Sequence, residues 1–134
     1  MGEIRVGLTN ERRVTVTNAI TAPHIGSGSV AVLATPYMIG LMEQTSHEMV
    51  APLLPPEQST VGVLVHVRHL AATPLGMEVR IHSELLAVDG RRLTFKVEAF
   101  DAVEKVGEGT HERMIIDLAR FLDRLERKSE GTLK

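Results

Sequence analysis

The 134-residue sequence has no cysteine and no tryptophan, and it holds only one tyrosine and three phenylalanines. Without cysteine there is no disulfide framework, no thiolate nucleophile and no Cys-based zinc site. With aromatics at 3%, the stacking platforms that single-strand nucleic-acid binders use are missing. There is no Lys/Arg block either, and the net charge is −2, so nucleic acid is not expected as a partner. No apolar run reaches transmembrane length, and the opening MGEIRVGLTNERR has no apolar signal-peptide core. The expectation is a soluble, cytoplasmic protein without a membrane partner. At this length it should be one domain, residues 1–134, able to bury a single core. Also absent are a G-x-S-x-G elbow, a Walker loop, a G-x-G-x-x-G turn and an H-E-x-x-H helix.

What is present is organised around residues 34–54, ATPYMIGLMEQTSHEMVAPLL. Thr35-Pro36 reads as an N-cap followed by a proline at the first helical position, and Pro52 with Pro55-Pro56 ends the helix. Tyr37, Met38, Ile39, Leu41, Met42, Met49 and Val50 spread nearly all round the cylinder, which predicts a buried central helix. Inside that apolar span sits Glu43. A buried acid is paired or has its pKa raised, so Glu43 is either an acid/base residue or the partner of a structural arginine.

Before the helix, residues 3–20 carry two short alternations, Ile4-Val6-Leu8 and Val14-Val16, and TAPHIGSGS (21–29) reads as a flexible loop. After it come long strands. In STVGVLVHVRHLA (59–71), alternation puts Val61, Val63, Val65, Val67 and His69 on one face. Residues 77–88 alternate, with Met77, Val79, Ile81, Leu85 and Ala87 inward. Asp89-Gly90 predicts a type I′ hairpin turn into Leu93, Phe95, Val97 and Ala99. Residues 105–118 form a further strand in which Gly107 and Gly109 suggest a bulge, leaving the side faced by His111 and Arg113 open. A short amphipathic helix begins at Leu118. One buried helix followed by successive strands, with no repeated strand–helix–strand unit, gives an α+β fold: an antiparallel sheet curled round a long central helix.

Chemistry falls on few residues. His69 closes an apolar strand face opposite the helix that carries Glu43, where burial would keep it a neutral base; the plainer alternative is a core histidine bonded to a carbonyl. Thr35 is either a simple cap or a hydroxyl aimed at developing negative charge at a helix N-terminus. Glu43 and His47 are four apart and could share a metal from one helix face, but no dense second cluster accompanies them, so no metal is expected. His66 and His69 lie on opposite faces of their strand and cannot share one.

The segments ATPYMIGLME (34–43), HLAATPLG (69–76) and GEGTHER (107–113), with the helix exit APLLPP (51–56), resemble the hot-dog-fold acyl-CoA thioesterases. More narrowly, they are similar to the fluoroacetyl-CoA thioesterase group, from about Ala34 to Phe121. The resemblance implies hydrolysis of a small acyl-CoA, with Thr35, Glu43 and His69 on the family's catalytic positions. It implies that Gly62 lies near the thioester and that Arg113 contacts CoA or steadies the site. It further implies no cofactor beyond the CoA of the substrate. It also implies a homodimer with sheets joined edge to edge and sites at the seam, open to pairing into tetramers. Fluoroacetyl selectivity is not expected to carry over. That group has phenylalanines as a lid ahead of the helix, whereas here the segment is HIGSGS (24–29) and no Phe precedes Phe95. A non-catalytic acyl-CoA-binding or regulatory module on the same fold is the alternative. A hydratase is disfavoured because no D-x-N-P-x-H segment occurs.

One constraint is independent of the resemblance. Eight residues of helix rise about 12 Å, so Thr35 and Glu43 cannot touch within one regular helix. Either the first turn is not helical or the working groups come from two chains.

Overall fold

The structure, a computed structural model, describes residues 3–132. In chain order the elements are β1 (Thr9–Thr15), α1 (Ala22–Ile25), α2 (Thr35–Val50), β2 (Gln58–His69), β3 (Glu78–Asp89), β4 (Arg92–Phe100), β5 (Lys105–Asp117) and α3 (Leu118–Ser129). The strands form one antiparallel sheet in the order β1-β3-β4-β5-β2, so β1 and β2 are its edges. Helix α2 touches all five strands.

Seven of the nine inward residues expected of the central hairpin build the core; Met77 is only half-buried, and Ala87 is exposed because the β3–β4 register shifts between Leu85 and Ala87. Val79, Ile81 and Leu85 of β3, with Leu93, Phe95, Val97 and Ala99 of β4, are fully buried against Met38, Leu41, Met42, Met49 and Val50 of α2. Burial of such side chains is worth roughly 1.5–3 kcal/mol each, which makes this contact the main adhesive of the fold. Gly107 on β5 lets the helix approach: a Cβ there would fall 2.6 Å from the Met38 sulfur. Polar helix residues are satisfied locally. Thr45 and Ser46 bond back to the carbonyls of Leu41 and Met42, and the Ser46 hydroxyl meets that of Ser83 at 2.8 Å.

Four sequence expectations are corrected. First, α2 is not apolar all round. Tyr37, Gly40 and Gln44 are exposed, and the Glu43 side chain is 42% exposed rather than buried. Second, the face of β2 changes at a bulge. The register with β5 shifts between Gly62 and Leu64, so Gly62 pairs Arg113 while Val65, Val67 and His69 pair His111, Gly109 and Gly107. The helix-facing side of β2 therefore runs Thr60, Gly62, then Val65, Val67 and His69; the extra residue at Val63 reverses the alternation. Third, the β3–β4 turn residues are Gly90-Arg91, one step later than expected, since Asp89 pairs Arg92. Only Gly90 has positive φ (+60°), as in a type II′ turn; type I′ needs both central residues there. Fourth, the segment before α2 is fastened rather than loose. It contains α1, and bridges Thr21↔Leu33 and Val32↔Pro74 tie its far end to the body.

No described helix is long and apolar enough to cross a membrane.

Candidate active site

Helix α2 is regular from Thr35 onward, with its first bond from the Met38 amide to the Ala34 carbonyl at 3.0 Å. The cap position is Ala34, so Thr35 is the first helical residue and its hydroxyl does no capping. That hydroxyl meets His69 Nδ1 at 2.7 Å. The other ring nitrogen, Nε2, is shielded from solvent and bonds nothing among the described residues. Burial pushes the His69 pKa down, favouring the neutral ring. A neutral imidazole with one nitrogen held by a hydroxyl can accept or donate at the other.

Glu43 lies two turns along α2 and faces a different neighbourhood. Its Oε2 is 4.0 Å from Arg113 Nη1. It also occupies the space above Gly62, where a Cβ would fall 2.9 Å from Oε2. Gly62 is thus what lets a carboxylate lie on the backbone of β2. Arg113 is buried, and each of its three nitrogens makes a hydrogen bond. Nε donates to Thr60 Oγ1 at 2.9 Å, Nη2 donates to the Thr60 carbonyl at 3.1 Å, and Nη1 donates to His111 Nε2 at 3.1 Å. Because a guanidinium only donates, His111 Nε2 accepts, which leaves Nδ1–H to donate to the Leu64 carbonyl at 2.8 Å. The His111 pKa is lowered, first by burial and further by the Arg113 charge, in keeping with a neutral ring. Burial also draws Arg113 itself below its usual value, opposed by Glu43.

His47 completes this cluster through a 2.9 Å contact between its Nδ1 and Thr60 Oγ1. Its pKa too is lowered, by burial and then by Arg113. The ring weighed above as a metal ligand is thus tied to a threonine. Among the described residues no group of three or more His, Asp or Glu is arranged to hold a metal ion.

The five residues picked from sequence therefore fall into two sets within one chain: Thr35 with His69, and Glu43 with Gly62 and Arg113. A family model described as fluoroacetyl-CoA-specific thioesterase matches residues 16–119. The chain belongs to that family.

Like the fluoroacetyl-CoA-specific thioesterases, it has relatives of both known activity and known structure. It is 43% identical over 98 residues to the fluoroacetyl-CoA thioesterase of Streptantibioticus cattleyicolor, covering 73% of this chain and 70% of that protein. A crystal structure of the fluoroacetyl-CoA thioesterase FlK superposes with a TM-score of 0.89 at 36% identity, over 95% of this chain and 98% of that one. A thioesterase superfamily member from Thermus thermophilus gives a TM-score of 0.89 at 28% identity, over 98% and 97%. The five-stranded antiparallel sheet with α2 packed against it is accordingly the hot-dog fold.

Within this member of the fluoroacetyl-CoA-specific thioesterase family, Thr60 and His111 escape the sequence reading, although both hold Arg113. For His111 a signal was there: His111 and Arg113 are two apart on a strand and must share a face. Nothing in the sequence singles out Thr60, whose importance comes from a partner 53 positions away.

Proposed function

We propose that this chain hydrolyses the thioester bond of an acyl-CoA with a small acyl group, and that its one hot-dog domain completes the site by pairing with a second copy. Membership of the fluoroacetyl-CoA-specific thioesterase family supports the reaction class. CoA enters as part of the substrate. The observation that carries the site assignment is the separation of its two halves. Glu43 reaches Gly62, and Gly62 lies six ladder steps along β2 from His69 once the bulged Val63 is set aside, about 20 Å in an extended strand. Neither side chain can span that gap.

β2 supplies the way to close it. It is an edge strand, and Val63, Leu64 and Val65 at its middle are 51%, 42% and 40% exposed. An unpaired apolar edge favours pairing with another strand. Two β2 strands pairing antiparallel about a dyad at His66, with Val63 bulged out, would set Gly62 of the partner subunit opposite His69. Glu43 of the partner subunit then approaches the Thr35–His69 pair. A homodimer with two equivalent shared sites follows from the two-fold symmetry.

In this arrangement Glu43 drives the attack on the thioester carbon, either as nucleophile or by taking a proton from water. Thr35, at the positive end of α2, holds the carbonyl oxygen as it becomes an oxyanion. His69 steadies Thr35 through Nδ1 and leaves Nε2 to orient or deprotonate the water. The C–S bond breaks and the CoA sulfur leaves, taking up a proton; water supplies the oxygen of the free acid, either in the attack itself or by cleaving the acyl–Glu43 anhydride. Arg113, fixed by Thr60 and His111, steadies the carboxylate from behind.

Thiol release from a panel of acyl-CoAs, wild type beside Glu43→Ala, tests this reading. Turnover in the wild type and a loss of about 10²–10⁴-fold in the variant are expected, with the fold retained. Near-normal turnover by the variant contradicts the role of Glu43. Tight binding of acyl-CoA by the wild type without turnover would instead indicate a binding module.

A further inference from the structure

The cavity beside the Thr35–His69 pair has a volume of about 450 Å³. Those two side chains provide one wall. The rest is built from Ala22, Val30, Val32 and Leu33 on one side and Leu70 to Ala72 on the other, with Ser27 and Gly28 at the margin. No charged or aromatic side chain lines it apart from the His69 ring itself. Its walls are pinned by backbone bonds: the Ala22 amide to the Val32 carbonyl at 2.9 Å, Leu33 to Thr73 at 2.9 Å, and Ser27 to Ala22 at 2.9 Å. The space is therefore pre-formed as a groove open to solvent on one side, with Val30 and Leu70 of its walls 66% and 47% exposed, and its volume holds an acyl chain longer than two carbons.

Resting on the thioesterase reading above, we propose that this cavity is the acyl pocket and that the preferred substrate is a CoA thioester of an uncharged aliphatic acid of about four to six carbons. A two-carbon acyl group would leave most of the cavity unfilled and forgo the burial it offers. A terminal carboxylate, as in a succinyl group, would lose part of its hydration against these aliphatic walls with no cation to meet it. An aryl group would find only small aliphatic side chains and no ring to stack on. Each further methylene buried in such a pocket should raise kcat/KM about fourfold until the pocket is full.

The test is kcat/KM for acetyl-, butyryl-, isobutyryl-, hexanoyl- and succinyl-CoA with the wild-type protein, beside Ala72→Phe. The proposal expects a rise of at least tenfold from acetyl to the best of the four- to six-carbon chains, and succinyl-CoA at least about tenfold below butyryl-CoA. Ala72→Phe, at an exposed position on the cavity wall, should lower the hexanoyl-to-acetyl ratio of kcat/KM by at least about tenfold, because the ring occupies the space of the distal methylenes. A flat profile, or acetyl-CoA as the best substrate, would overturn the pocket assignment and leave the thioesterase reading standing. An unchanged ratio in a folded Ala72→Phe protein would also overturn it. Hydrolysis of none of the five would instead bring down the thioesterase reading itself.

Discussion

The carboxylate of Glu43 lies in the space that a side chain on Gly62 would need, with Oε2 2.9 Å from where that Cβ would be. The glycine is required by a neighbour, not by its own backbone, since its φ is not in the left-handed region. Gly62→Ala should therefore fold, because the nearest atom in the way is the free end of a flexible side chain, and the His111 ring, 3.2 Å from that Cβ, need give by only a few tenths of an ångström. The carboxylate must move, however, and a displacement near 1 Å at a reacting group costs about 10²-fold in rate. The expected outcome is a Tm within a few degrees of wild type and kcat down by about that factor. Unaltered kcat would show that Glu43 does not work from this position.

Arg113 tests the support behind the carboxylate. Its three donor groups engage Thr60 and His111 in a fixed fork that lysine cannot reproduce. Arg113→Lys should cost about 2–4 kcal/mol in denaturant unfolding, because buried acceptors lose their donors. Thr60→Val should cost about 1–3 kcal/mol, since both Arg113 Nε and His47 Nδ1 lose the same hydroxyl. The two effects share partners, so the double variant should cost less than the sum. Additive losses would mean that the cluster does not act as one unit.

Much of the fold was legible in the chain, and the exceptions have physical causes. The β3–β4 hairpin follows from alternation up to Leu85 and from Leu93 on, whose inward residues are found in the core, whereas the register shift after Leu85 turns Ala87 outward. The bulge on β2 left no trace, because in Val-Gly-Val-Leu-Val an added apolar residue does not disturb the hydrophobic pattern. That is why alternation alone places Val61 and Val63 with His69. In the sequence Glu43 reads as buried because Tyr37 and Ile39 contribute to an all-apolar helix. In the fold Tyr37 faces away from the sheet, and Ile39 is half-buried. Thr35 read as a cap because Thr-Pro opens many helices. One residue of difference in the helix start is what frees its hydroxyl for His69.

The histidines set a pH dependence of stability. His47, His69 and His111 all have pKa values lowered by burial in the fold. Below their ordinary value of about 6.5 the unfolded chain binds more protons than the folded one, so stability falls as pH falls. Above that value both states hold neutral rings and this contribution is complete. Denaturant unfolding should show a plateau from about pH 7 upward and a decline below about pH 6.5. His111→Phe should flatten part of that decline, and a decline of unchanged slope would exclude His111 from it.

Gly107 tests the packing of α2. A Cβ there would lie 2.6 Å from the Met38 sulfur and 2.9 Å from its methyl. Gly107→Val should force Met38 or the helix outward and lower stability by about 1–3 kcal/mol, read as a drop in Tm. With Met38→Ala added, the space opens and part of the loss should return. No recovery would locate the strain elsewhere on β5.

The sharing of one site between two chains is most directly tested by complementation. Glu43→Gln and His69→Ala proteins, each inactive alone, would be unfolded together, refolded as a mixture and assayed for thioester hydrolysis. If each site takes Thr35 and His69 from one subunit and Glu43 from the other, half of the dimers are mixed and one of their two sites is intact. Activity should then recover to about a quarter of the wild-type value. A mixture as inactive as its components would contradict the shared site.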